Sequence, residues 1–92
     1  MIRSFAGKNT AILFQDISVA KFKNFERVAR RKLVFLNQAC SLNDLKSPPN
    51  NHLEALKGDR GGQYSIRINK QWRLCFVWKD KDAYEVEIVD YH

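Results

Sequence analysis

The stretch QYSIRINKQWRLCFVWKDKDAYEVEIVD, residues 63–90, decides the fold. Tyr64, Ile66 and Ile68 alternate with Ser65, Arg67 and Asn69. After Asn69-Lys70-Gln71, Trp72, Leu74, Phe76 and Trp78 alternate with Arg73, Cys75 and Val77. After Asp80-Lys81-Asp82, Tyr84, Val86 and Ile88 alternate with Glu85, Glu87 and Val89. Side chains of a strand point to opposite faces at a period of two, and links this short join antiparallel neighbours. The stretch therefore predicts a three-strand antiparallel meander. Just upstream, 52–57 is expected to add a first strand, with Gly58-Asp59-Arg60-Gly61-Gly62 as a flexible turn.

The first half has a different period. Phe25, Val28, Ala29, Leu33, Leu36 and Cys40 recur at steps of three and four, which predicts one helix over 21–39 with an apolar stripe. Lys23, Arg27, Arg30 and Arg31 fall mostly off that stripe and read as a solvated basic face. Asn9 or Thr10 is expected to cap a short helix ending at Phe14. IRSF at the start reads as an edge strand. Residues 15–20 have no period and are expected to be a mobile loop. Ser41 followed by Asp44 predicts a capped helical turn, ended by Ser47-Pro48-Pro49. The expectation is a compact α+β fold, N-terminal helices packed on a mostly antiparallel sheet. The face bearing Trp72, Leu74 and Phe76 should meet the helices. The face bearing Arg67 and Arg73 should be open and cationic.

With 92 residues the chain fits a single domain, residues 1–92. Hydrophobic residues make up 45%, ordinary for a folded protein. A net charge of +6 and a pI of about 9.6 favour an anionic partner, with nucleic acid foremost. Cys40 and Cys75 do not make a disulfide scaffold and are expected as free thiols. No signal peptide or membrane span is read, so no membrane partner is expected and the cytoplasm is the expected location. His52, His92, Cys40 and Cys75 show no metal-ligand spacing, so neither metal nor cofactor is expected. GDRGG precedes a strand rather than opening a helix, unlike a phosphate loop.

Composition and alternation alone support a small basic domain that binds nucleic acid, in which Glu54 and Lys57 are a solvated strand residue and a turn residue; the sharper reading is acid–base chemistry on a phosphodiester. RNA cleavage by its own 2′-hydroxyl needs a base, an acid for the leaving 5′-oxygen, and cations for the crowded phosphate. Glu54 and His92 suit base and acid, Lys57 and Arg73 suit the phosphate, and Tyr91 or Trp72 suits stacking on a base.

The segment LEALKGDRGGQYSIRINKQWRLCFVW, residues 53–78, with the ending VEIVDYH, residues 86–92, resembles the RelE superfamily of bacterial toxins, nearest its HigB-like branch. The resemblance runs from MIRSF to DYH, and it is the combination LKGDR, SIRIN-x-QWR and terminal DYH that is specific. It implies a ribosome-dependent endonuclease cutting messenger RNA in the A site of the 70S ribosome. It also implies a HigA-like helix-turn-helix antitoxin, and operator DNA reached only through that antitoxin. By the same resemblance Asp90, Tyr91 and His92 form a functional ending, and Lys57 and Arg73 face the RNA; Arg60, Arg67 and Trp72 are the further residues expected to bind it. One position departs from the HigB pattern: Glu54 stands where that branch has histidine, three residues before Lys57. Glu54-Ala55-Leu56-Lys57 is similar instead to a YoeB-like variant that uses glutamate as general base. His52, two residues earlier, is the alternative base. Asp90 is expected to orient His92. The rival readings are a non-catalytic inhibitor that binds RNA or the ribosome, and an interaction protein built to receive an acidic antitoxin segment.

Overall fold

A computed structural model describes residues 1–90. Two helices, Lys8–Phe14 (α1) and Glu26–Gln38 (α2), precede a four-stranded antiparallel sheet. Its strands are Glu54–Ala55 (β1), Gln63–Arg67 (β2), Trp72–Lys79 (β3) and Asp82–Asp90 (β4), laid side by side in chain order. The meander read from the alternation is present. Ile66 pairs with Leu74 and Leu74 with Ile88 across the three long strands. All three are buried in one core with Phe76, with Ala29, Leu33 and Leu36 of α2, and with Leu13 of α1. Ser41 and Asp44 form the expected capping box, here on a 3₁₀ turn at Leu42–Lys46.

Four local expectations change. The helix expected over 21–39 is two pieces, a 3₁₀ segment at Ala20–Phe25 followed by α2. In a 3₁₀ helix residues i and i+3 eclipse. Phe22 and Phe25 thus stand in line, and their rings lie 5.8 and 5.0 Å from that of Trp72. Cys40 lies beyond α2 and is exposed, so the stripe ends before it. Neither Asn9 nor Thr10 caps α1, which starts after Gly7. Thr10 is buried, and its Oγ1 accepts the Ile88 backbone N–H at 2.9 Å, an edge-strand donor with no strand beside it. Gly7 permits this approach, since a Cβ there would stand 2.9 Å from Thr10 Oγ1. The first strand is only two residues long, because His52 closes a 3₁₀ turn at Pro49–Asn51 in the left-handed region, φ 46°.

The IRSF segment lies along β4 through two parallel bridges, Ile2 to Ala83 and Phe5 to Val86. Strand β4 changes phase beside it. Cys75 faces Glu87 but Val77 faces Tyr84, so one extra residue bulges out of β4, with Glu85 at φ 54°. Ala83, and not the Tyr84 expected from simple alternation, therefore joins Val86 and Ile88 in the core. The other face of the sheet is not the open surface expected. Ser65, Arg73 and Cys75 are buried along it, and Arg60 reaches Glu87, the cross-strand partner of Cys75, at 3.3 Å.

Candidate active site

Strand register assembles the site. Glu54 of β1 stands opposite Ser65 of β2, and Ser65 opposite Cys75 of β3. Arg73 shares the face of Cys75 two residues away, and Arg67 stands opposite Arg73. Like charges placed opposite each other repel, and here the two guanidinium groups turn to different partners. Arg67 Nε donates to the Asn69 carbonyl at 3.2 Å.

Arg73 turns inward. Its side chain is only 10% exposed. Nε donates to Ser65 Oγ at 2.7 Å, and Nη2 donates to the His52 carbonyl at 2.6 Å. Nη2 also faces Glu54 Oε1 at 3.3 Å. A buried charge persists only when paired and hydrogen-bonded, and all three contacts serve that end. The guanidinium is thereby held in one place rather than swinging on its stem.

The His52 carbonyl is aimed by a second buried amide. Asn51 is fully buried. Its Nδ2 donates to the carbonyls of Leu45 and Ser47 at 3.1 and 3.4 Å, and its Oδ1 accepts from Lys32 Nζ of α2. These bonds fix the turn that ends at His52. His52 then lines a surface cleft with Arg67, Asn69, Lys70 and Arg73. The structure so brings both base candidates to Arg73: Glu54 through its half-exposed carboxylate, His52 through its main chain and the shared cleft.

Among the described residues, the other expected site residues do not line that cleft. Lys57 is exposed at the start of the 3₁₀ turn at Gly58–Arg60. Arg60 bonds Gln63 at 3.2 Å as well as Glu87, beside Cys75. Burial pushes the Cys75 thiol up. Trp72 lies on the face opposite Arg73, against Phe22 and Phe25 with Lys21 over its ring. It is thus not brought to the cleft. Asp90 pairs across to Trp72 and its Oδ2 accepts from Gln71 Nε2 at 3.0 Å. The expectations placed on Tyr91 and His92, including orientation of His92 by Asp90, lie outside the described residues. Ser65, Asn69 and Lys70 were not singled out from the sequence. The signal for Ser65 was present, since it alternates in phase with Arg67 and Arg73 on one face.

Chemically, the arrangement is a fixed cation beside a partly exposed carboxylate, on a cleft lined by further cations. That pair can polarise a phosphate and take a proton next to it.

Comparison with known proteins follows the same line. The family model of the HigB-like toxin, described as the RelE-like toxin of the type II toxin-antitoxin system HigB, matches residues 3–92. Over 57 residues the chain is 46% identical to Toxin HigB-1 of Vibrio cholerae, which takes in 62% of this chain and 60% of that protein. It is 33% identical over 94 residues to Endoribonuclease HigB of Proteus vulgaris, over the whole of both. An uncharacterized protein of Haemophilus influenzae is 42% identical over 60 residues, 65% of this chain and 59% of its own length. The chain thus spans less than two thirds of the Haemophilus and Vibrio relatives and all of the Proteus one. Among solved structures it is similar to a chain of the YoeB-YefM complex from Staphylococcus aureus, with a TM-score of 0.61 at 20% identity over 100% of this chain and 98% of that one. A heterotetrameric YoeB-YefM toxin-antitoxin complex from the same organism gives 0.63 at 20% identity, with the same coverage. At that identity the likeness is one of fold.

Proposed function

The chain belongs to the HigB-like toxin family of RelE-like toxins of type II toxin-antitoxin systems, and from that premise we propose that it is an endoribonuclease that cuts messenger RNA in the ribosomal A site and so stops translation. Its partner is an antitoxin of the HigA-like helix-turn-helix kind, which holds it inactive and supplies the contacts to operator DNA. The observation that carries the reading is the guanidinium of Arg73, buried and fixed by Ser65 and the His52 carbonyl, with the Glu54 carboxylate 3.3 Å away.

That geometry, taken with the role expected of His92, supports cleavage by the 2′-hydroxyl. Glu54 takes the proton of the 2′-hydroxyl. The 2′-oxygen then forms a bond to phosphorus as the bond from phosphorus to the 5′-oxygen breaks. His92 gives its proton to the leaving oxygen, and the product is a cyclic phosphate with a new 5′-hydroxyl end. Arg73 offsets the charge that gathers on the phosphate oxygens, and Lys57, exposed just beyond β1, is the second cation proposed for it. His52 is the alternative base, since it lines the same cleft. The ribosome holds the messenger in place, and held geometry supplies much of the rate.

The test is a reconstituted translation reaction in which messenger 5′ ends are mapped by primer extension. Wild type, Arg73→Ala and His92→Gln are each compared with and without ribosomes. New ends within A-site codons, dependent on ribosomes and lost in both variants, are expected. Arrest of translation with no new ends would replace the nuclease with a binding inhibitor.

A further inference from the structure

The cleft at Arg73 continues past the residues that the reaction uses. His52, Arg67, Asn69 and Lys70 also line a second cleft, whose other wall is Arg31 and Lys32 of α2. The two clefts share these four residues and so form one channel between α2 and the β2–β3 hairpin. Among the described residues, no aspartate or glutamate lines either part. Elsewhere Arg3, Arg30 and Arg60 each meet a carboxylate within 4 Å. Among the described residues Arg31, Lys32, Arg67 and Lys70 make no ion pair.

Lys32 is held in place as well as charged. It is half-buried, and its ammonium is bonded to the buried Asn51 amide. Burial first, and the neighbouring charge of Arg31 second, lower its hold on a proton. An anion in the channel relieves both effects at once.

We propose that this channel is a backbone track for a single strand of RNA, in which Arg31, Lys32 and Lys70 hold phosphates of the messenger nucleotides that flank the cut. The proposal rests on the reading of the Arg73 cleft as the cleavage site, and it extends that site. The strand is the messenger, because the channel is continuous with the position of the scissile phosphate and a bound strand has to leave that position along the surface. An acidic peptide fits less well. Peptides dock through pockets for apolar side chains, whereas among the described residues Val28 and Ile68 are the only aliphatic ones in this lining, and Ile68 is 7% exposed.

The experiment measures binding apart from cutting. A labelled single-stranded RNA of about ten nucleotides, within the span such grooves take, carries a 2′-deoxy sugar at the cut so that it survives. Affinity is followed by anisotropy across a salt series for wild type, Arg31→Gln/Lys70→Gln, Lys32→Gln and Arg73→Ala. Arg31 and Lys70 are exposed, so that double variant keeps its fold, checked by its melting curve. Each single-strand phosphate contact contributes roughly 0.7 to the slope of log K against log salt. The double variant is expected to bind about tenfold or more weakly and to lose about 1.4 from the slope. A dinucleotide too short to reach the channel should bind it as it binds wild type. Wild-type affinity and slope in the double variant, with Arg73→Ala weakened, would overturn the track and leave the cleavage site standing. If Arg73→Ala also matched wild type in binding and in cutting, the cleavage-site reading itself would fall. No wild-type binding at low salt would overturn the track. So would an oligo-glutamate peptide whose affinity drops in the double variant while that of RNA does not.

Discussion

Ser65→Ala isolates what the placing of Arg73 contributes. Ser65 is fully buried, and its Oγ accepts the Arg73 Nε–H at 2.7 Å. The substitution removes one oxygen and leaves the shape of the site almost unchanged, so the loss is a hydrogen bond to a charged group and not a cavity. Such bonds contribute about 1.5–3 kcal/mol. In a domain of this size each kcal/mol moves the melting temperature by about 4–8 °C, so a loss of about 2 kcal/mol predicts a fall of about 8–16 °C. Cleavage should suffer beyond stability. Removing one donor to a developing oxyanion costs on the order of 10²–10³ in rate. A displaced guanidinium costs less than a deleted one, so the expected fall is about 10- to 100-fold. Thr10→Val is the control. Thr10 Oγ1 is another buried acceptor, here for the Ile88 N–H at 2.9 Å, and it serves no site residue. It should destabilise by a similar about 1–3 kcal/mol and cut normally at a temperature where both variants are folded. Thermal unfolding by circular dichroism gives the first number and primer-extension rates in reconstituted translation give the second. Ser65→Ala cutting at the wild-type rate, or Thr10→Val cutting as slowly, would refute the reasoning.

Asp82 binds Arg3 Nε at 3.1 Å and the Met1 ammonium at 3.2 Å, and the bond from Arg3, foremost, holds its carboxyl below the usual carboxylate range. A depressed carboxyl stabilises the fold above its unfolded value, about 3.9, and that support is lost as pH falls through the lower folded value. Urea midpoints for wild type and Asp82→Asn should therefore differ at neutral pH and converge in acid. Trp72→Ala should cost about 3 kcal/mol through the lost packing on Phe22 and Phe25. At low temperature, where the variant is folded, its RNA affinity should change less than twofold. A large loss of affinity with little loss of stability would return Trp72 to the RNA face. Cys40 is exposed and Cys75 fully buried, so a thiol reagent should titrate one group in the native protein and two in guanidinium. Two fast groups in buffer would show the Cys75 face to be open.

The parts legible in the sequence are those set by period. Alternation from Tyr64 to Ile88 gave the meander, the three-and-four step gave α2, and Ser41 with Asp44 gave a capped turn. The bulge in β4 left no mark, because Glu85 takes a left-handed conformation without the glycine or asparagine that usually signals one. That one residue moved Tyr84 out of the core and Ala83 into it. The break before α2 was hidden because Phe22 and Phe25 fit a helical stripe equally well in 3₁₀ or α geometry. Of the residues brought together in the site, Glu54, His52 and Arg73 were readable as residue types. The groups that fix Arg73 were harder to read: a main-chain carbonyl leaves no trace in sequence, and the phase of Ser65 put it on the face of Arg73 without marking it as a partner. The same is true of Asn51, whose three bonds depend on a turn that no pattern announced.

The first residues of the chain complete its last strand. Ile2 and Phe5 bridge to Ala83 and Val86, Ser4 Oγ takes the Glu85 N–H, and Thr10 takes that of Ile88. None of these partners exists until residues 83–88 have been synthesised. A chain still growing at residue 80 has an N-terminal segment with nothing to lie against and a sheet without its edge. Pairings this distant in sequence form late and cannot be replaced by local ones. Topology therefore acts as a clock. Synthesis of residues 83–88, rather than emergence of the cleft residues at 52–73, sets the moment when this fold closes, and products terminated before them are left open to proteases.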